Sequence, residues 1–372
     1  MGATRTYLDH NATSSLRPEA HAALLAALEQ GGNASSAHEE GRAARRVIET
    51  AREQLASALG CLPQMITFTS GGTEANNIAI KGAAVERIIA SAVEHPAVMA
   101  AAQATGKPVQ VVPVSAEGVI DLTALQAALE SGEGRALVSV MLANNETGVM
   151  QPVAEVSRIA AEHDALTHCD AVQALGKVPV RFAMLGADML TFSAHKLGGP
   201  QGVGALVVRD GLALEPLTHG GGQELRRRPG TENTPGLAGF GAAVAAAGKE
   251  PHIKRLRDAF ESELQALVPE VIIFGAGAER LPNTCSFAVP GIAAELAVMS
   301  LDLDGVAVSS GSACSSGKVA ASHVLTAMGV DPELAACAIR VSLGWSTTPE
   351  DIEQAVQALG RIVERHKNSA AA

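Results

Sequence analysis

The sequence predicts an α/β domain around a largely parallel sheet, followed by a smaller α+β domain. Two observations carry that prediction. Short, almost wholly apolar runs alternate with longer segments of helical spacing, which is how a parallel sheet buried on both faces reads. The chain is 372 residues long, more than one ordinary core organises. Hydrophobic residues make up 47% of it and aromatic residues only 2%, so close-packed Ala, Val, Leu and Ile are expected inside.

Two helices are expected first, one opening at Pro18 and one across Ala43–Leu59. Seven runs then read as strands: 65–69, 87–93, 109–114, 136–142, 165–170, 188–193 and 203–208. Helical segments fall between them at Ala75–Val85, Pro96–Ala104, Leu122–Glu130 and Pro152–His163. After the glycine-rich stretch 219–236, a helical run covers Leu237–Leu267, broken near Pro251. Strands follow near Val271–Phe274, Thr284–Val289 and Ala338–Leu343, with helices near Ala293–Leu303 and Pro349–His366.

Charge and cysteine usage exclude several classes. A net charge of −11 argues against nucleic acid or a membrane surface as partner. No apolar run approaches the ~18 residues of a membrane span, and the first residues lack the basic and apolar regions of a signal peptide. The five cysteines, Cys61, Cys169, Cys285, Cys314 and Cys337, are odd in number, scattered and without a CxxC pair. That fits a reducing, cytoplasmic compartment and neither a disulfide framework nor a metal site.

Chemistry gathers at strand ends. Lys196 in SAHKLGGPQGVG follows a strand and sits among glycines, flanked by Ser193 and His195. A lysine there is usually a solvated charge, but one whose proton is loosened by its surroundings can form a Schiff base with an aldehyde cofactor. Asp170 in HCDAVQALGK ends another strand. It reads as an N-cap for a helix starting at Ala171, or as the partner of a protonated pyridine nitrogen, with Gln173 near the ring's phenolic oxygen. In TSGGTEANN, Gly72 and Thr73 open a helix whose N–H groups would cradle a phosphate, although Thr before Glu also reads as capping. His95, directly after a strand in VEHPAV, is either a structural cap or a ring stacked on the cofactor. Asn145 in NNETG would reach the substrate or the ring oxygen, while Asn144 and Glu146 equally shape a turn. The segment SSGSACSSG sets Cys314 among small polar residues with nothing apolar to pack it.

Together GGTEANN, EHPAV, NNETG, DAVQALGK, SAHKLGGPQGVG, RRRPGTEN, SSGSACSSG and RVSLGWSTT resemble the class I cysteine desulfurases, the NifS/IscS group, in order and over nearly the whole chain. The resemblance implies a fold-type I pyridoxal 5′-phosphate enzyme. A large domain at 15–255 would hold a mostly parallel seven-stranded sheet, and 1–14 with 256–372 would form the small domain carrying the cysteine loop. It implies Lys196 as the Schiff-base lysine, and Ser193, His195, Gly72 and Thr73 around the phosphate. Asp170 would sit on the ring nitrogen, Gln173 on the ring oxygen and His95 over the ring. Asn145 would contact cofactor or substrate. Thr231 would reach the phosphate of a second subunit in a homodimer, and Arg340 would clamp the substrate carboxylate.

Cys314 would then take sulfur from L-cysteine as a persulfide, leaving L-alanine, and pass it to a sulfur acceptor or iron–sulfur scaffold protein. A role for Cys314 as transient cluster ligand is left open. The other four cysteines read as packing residues. Three departures stand out, Ala34 for a usual proline, Gln223 where some members carry histidine, and Pro229 before Gly230, and none removes a reacting group. A selenocysteine lyase, a class II desulfurase or another class V aminotransferase-fold enzyme is the alternative on the same scaffold. A simple aminotransferase would have no use for Cys314. A cofactor-binding protein without catalysis would not need the full set of Lys196, Asp170, His95 and Cys314.

Overall fold

The computed structural model describes residues 5–311 and 322–370. After a short strand β1 (Thr6–Tyr7), helices α1 (Pro18–Gln30) and α2 (Glu39–Leu59) lead into the large sheet. Its strands are β2 (Ile66–Thr69), β3 (Arg87–Ser91), β4 (Val109–Val112), β5 (Ala136–Ser139), β6 (Leu166–Asp170), β7 (Met189–Ser193) and β8 (Gly204–Val208). The order across the sheet is β2-β8-β7-β6-β5-β3-β4. Only β8 runs against its neighbours, pairing antiparallel with both β2 and β7. All seven strands stand where the apolar runs predicted, each trimmed to its hydrogen-bonded core.

Period-two alternation splits each strand between two faces. In β8, Ala205 and Val207 join α1, α2 and a helix at Thr234–Ala246 on one side, packed with Phe68, Phe192 and Phe240. Leu206 and Val208 join α3 (Gly72–Gly82) and α4 (Pro96–Gln103) on the other. Helix α3 starts three residues earlier than its apolar spacing predicts, because its first turn is built from glycine and polar residues. The long run after residue 236 is two helices, Thr234–Ala246 and His252–Leu267, parted by Pro251. No helix starts at Ala171; the chain turns there, and Asp170 Oδ1 accepts from Val172 N–H at 3.0 Å.

A second, antiparallel sheet holds β9 (Ile272–Ile273), β10 (Thr284–Ala288), β12 (Ser309–Ser310) and β13 (Ala338–Ser342), in the order β12-β13-β10-β9. Strand β11 (Val306–Ala307) pairs parallel with β1, so the N-terminus is tied to this part of the molecule. Leu8, Phe260, Phe287, Val341 and Leu359 fill its own core. Among the described residues, no helix is long and apolar enough to cross a membrane.

Residues Glu224, Leu225 and Arg226 all adopt positive φ, at 45°, 58° and 65°, which costs L-residues of order 1 kcal/mol or more each. A buried ion pair holds them. Arg52 Nη2 and Nη1 reach Glu224 Oε1 and Oε2 at 2.8 and 3.0 Å, and Phe68 N–H donates to Oε2 at 2.8 Å. Removing one partner strands the other charge in the interior, so Glu224→Ala is expected to lose about 3–5 kcal/mol in urea unfolding. Arg52→Met combined with Glu224→Leu should recover most of that loss.

Candidate active site

The C-terminal ends of β2, β3, β5, β6 and β7 open onto one cavity of about 320 Å³, where ligands of open α/β sheets bind. It is lined by Gly72, Thr73, His95, Asn145, Asp170, Gln173, Ser193, His195, Lys196 and Arg340. Ten of the twelve residues singled out from the sequence therefore meet in one place. Thr231 does not join them. It is exposed and faces a separate cleft with Glu74 and Arg228. Cys314 lies outside the described residues.

Lys196 ends a single 3-10 turn, Ala194–Lys196, that follows β7 directly. Its Nζ donates to the carbonyls of Asn11 and Ala12, both at 2.7 Å. Beside it, His195 Nδ1 lies 3.2 Å from Thr13 Oγ1. Burial first, then the charges of Lys196 and Lys177, lower the pKa of His195 to about 4, so its ring is neutral at physiological pH.

Asp170 is buried, and its Oδ2 accepts from Asn76 Nδ2 at 2.8 Å. His95 fills the capping role read for it. As N-cap of α4 its Nδ1 accepts from Ala97 N–H at 3.0 Å, which leaves the ring's proton on Nε2, while the ring lines the cavity. Burial lowers its pKa against the opposing pull of Asp170, and Lys196 and His323 add to the lowering. Cys169, one residue before Asp170, points to the opposite face and packs in the core, as strand alternation requires.

Arg340 comes from β13, on the other sheet. Its Nη2 donates to Asp9 Oδ1 at 2.6 Å and its Nη1 to the Asn145 carbonyl at 3.0 Å. Its Nε is buried without a hydrogen-bond partner among the described residues. Asn144, one residue earlier, shapes the turn. Its Oδ1 accepts from Glu146 N–H at 2.8 Å and Thr147 N–H at 3.0 Å. Glu146 is buried, and its Oε2 accepts from Ser322 Oγ. Burial raises its pKa above the usual carboxylate range.

These residues fit pyridoxal phosphate. A cleft beside the cavity gathers Gly71, Gly72 and Thr73 with Ser193 and His195 at the start of α3, a setting for an anion. Side chains are kept out of that cradle. Gly71 has φ +156°, and a Cβ on Gly72 would stand 2.8 Å from Val172 Cγ2. Asp170 lines the cavity together with Lys196, the one lysine among its described lining residues. The unpartnered Arg340 Nε is a donor waiting for an anion, and an unpaired buried donor costs about 1–3 kcal/mol.

Three residues of the site carried no individual signal in the sequence. Asn76 holds Asp170 from α3. Asn11 accepts from Lys196, and Asp9 occupies part of the Arg340 fork. Nothing in residues 7–14 around the last two shows that the Asn11 carbonyl meets a lysine 185 residues away. Gln173 enters the cavity with its amide already engaged, donating to the Asn11 carbonyl at 2.9 Å and accepting from Lys177 at 2.7 Å.

The aminotransferase class-V family pattern matches residues 6–355. A curated relative, cysteine desulfurase IscS of Dictyoglomus turgidum, is 44% identical over 96% of this chain and 94% of its own. Among solved structures, a NifS-like protein from Rickettsia africae superposes with a TM-score of 0.90 at 37% identity, covering 97% of this chain and 99% of that one. A structure of SspA in complex with cysteine superposes with a TM-score of 0.81 at 31% identity, covering 91% and 98%.

Proposed function

The chain belongs to the aminotransferase class-V family, a pyridoxal-phosphate-dependent family, and is a cysteine desulfurase; from that premise we propose how its own residues divide the work. The observation that carries the proposal is the convergence of Lys196, Asp170, His95 and Arg340 on one cavity.

Pyridoxal phosphate, when bound, supplies an aldehyde for amines and an electron sink for the bonds broken next to the substrate nitrogen. Gly72, Thr73, Ser193 and His195 would hold its phosphate end, and Asp170 would keep its pyridine nitrogen protonated. Asn76 fixes the carboxylate for that task. Gln173 would serve the ring oxygen by giving up one of its present bonds to Asn11 or Lys177. His95 would face the ring with its neutral imidazole, and Asn145, which lines the same cavity, would contact cofactor or substrate.

L-Cysteine is the substrate, and Arg340 binds its carboxylate, starting from the unpaired Nε. Lys196, its amine held by the carbonyls of Asn11 and Ala12, would carry the Cα proton. The thiolate of Cys314 then attacks the substrate sulfur. An S–S bond forms as the C–S bond breaks, the bonding electrons return to the carbon, and that carbon takes a proton to become the methyl group of L-alanine. Cys314 is left as a persulfide for a protein sulfur acceptor. The chain segments on either side of 312–321 support this assignment. Gly311 N–H donates to the Ala338 carbonyl at 2.9 Å, two residues from Arg340, and Ser322 is held on Glu146.

Thr231 acts across a homodimer. It is exposed, and its cleft shares Glu74 with the phosphate cleft. A partner subunit's phosphate site is within the logic of that placement, and a cytoplasmic location accompanies the free thiols.

Charge-assisted hydrogen bonds are worth about 1.5–3 kcal/mol. Arg340→Lys, which keeps the charge near Asp9 but loses the fork, is therefore expected to raise the KM for L-cysteine ~10–100-fold with a smaller change in kcat. Steady-state alanine production measures it. An unchanged KM with reduced kcat would remove Arg340 from carboxylate binding.

A further inference from the structure

Lys177 has no part in the chemistry above, yet it is a half-buried lysine beside the one that carries it. Its Nζ donates to Asn11 Oδ1 at 2.8 Å and Gln173 Oε1 at 2.7 Å. Asn11 Oδ1 also accepts from Asn283 Nδ2 at 3.1 Å, and its Nδ2 donates to Thr284 Oγ1 at 2.9 Å and the Asn145 carbonyl at 3.2 Å. All four side-chain hydrogen-bonding positions of Asn11 are thus used, and the residue cannot turn without breaking them. Its own carbonyl is the one that accepts from Lys196. Lys177 and Lys196 therefore grip two atoms of one fixed residue. Both also line a second cavity, of about 470 Å³, and Lys196 is common to the two cavities.

We propose that Lys177 is a positioning residue for Lys196: through Asn11 it fixes the carbonyls that receive the Lys196 amine, and as a like-charged neighbour it eases loss of the Lys196 proton. The inference rests on the reading that Lys196 carries the cofactor.

Two ammonium groups on one enclosed residue disfavour each other's charge. Burial, then Lys196 and Arg340, push Lys177 well below the ordinary lysine range. The other groups facing it do not relieve that pressure. His10 and His195 are both lowered to about 4 and are neutral at physiological pH. Across the second cavity, Glu250 is engaged by Arg17 at 2.6 Å and Lys254 by Asp258 at 2.6 Å.

The test is the pH midpoint of the visible absorption band of the pyridoxal-phosphate-loaded protein, read in the parent, in Lys177→Met and in Asn11→Asp. Losing the like charge is expected to raise the midpoint by about one unit in Lys177→Met. Asn11→Asp keeps Lys177 but sets a carboxylate between the two amines, and the midpoint should again rise. A folded Lys177→Met protein that titrates like the parent overturns the proposal. If that variant does not fold, an unshifted Asn11→Asp midpoint overturns it instead. Failure of the underlying reading looks different, because Lys196→Ala would then keep the band.

Discussion

Lys196→Ala is expected to abolish turnover, with kcat falling by at least ~10³, about 4 kcal/mol of transition-state stabilisation. The visible band of the cofactor-loaded protein should vanish with it. The size of the effect follows from position. Lys196 is the one lysine among the described lining residues of the cavity, held by two carbonyls at 2.7 Å. Lys177 cannot replace it, since its amine is bound on the far side of Asn11 and does not line that cavity. Absorbance and alanine production, read on the same sample, separate the two losses. Cofactor that stays fixed to Lys196→Ala through sodium borohydride reduction and denaturing dialysis, read by its near-ultraviolet absorption, would place the covalent attachment on another residue.

The second large effect is expected at Cys314, and it differs in kind. Cys314→Ala should keep the band, and L-cysteine should still perturb it, because none of the described residues that line the cavity is altered. Alanine and sulfur release should fall by ~10³ or more, since no thiolate is left to receive the substrate sulfur. The loss should appear in kcat with little change in the binding of L-cysteine. A variant that bound cysteine poorly would instead make Cys314 part of the binding site.

The sequence made the strand ends legible because each is an apolar run closed by a short polar or glycine-rich turn. That pattern located Asp170, His95, Asn145, Ser193 and Lys196 without any knowledge of how the strands are ordered. Parallel strands then bring those ends to one edge, so the cavity follows from topology. Arg340 was legible only through family resemblance, as it arrives from the antiparallel sheet. The supporting amides were not legible. Asn76 meets Asp170 across 94 positions and Asn11 meets Asn283 across 272, and no local spacing encodes such pairs. Asp170 also shows how a local rule misleads. Its carboxylate caps a turn and not a helix, because the polypeptide after it bends to bring Gln173 and Lys177 onto Asn11. The strained Glu224–Arg226 segment was hidden for the same reason, its conformation being fixed by Arg52 from α2.

The central claim is that sulfur passes from L-cysteine to Cys314 at the cavity built around Lys196. Mass mapping of the loaded protein after brief exposure to L-cysteine, with no acceptor present, tests it most directly. The peptide containing Cys314 should gain one sulfur atom, removable by a thiol reductant, in the parent protein and not in Lys196→Ala. Equal sulfur gain at Cys61, Cys169, Cys285 or Cys337, or an unmodified Cys314 peptide while alanine accumulates, would contradict the account.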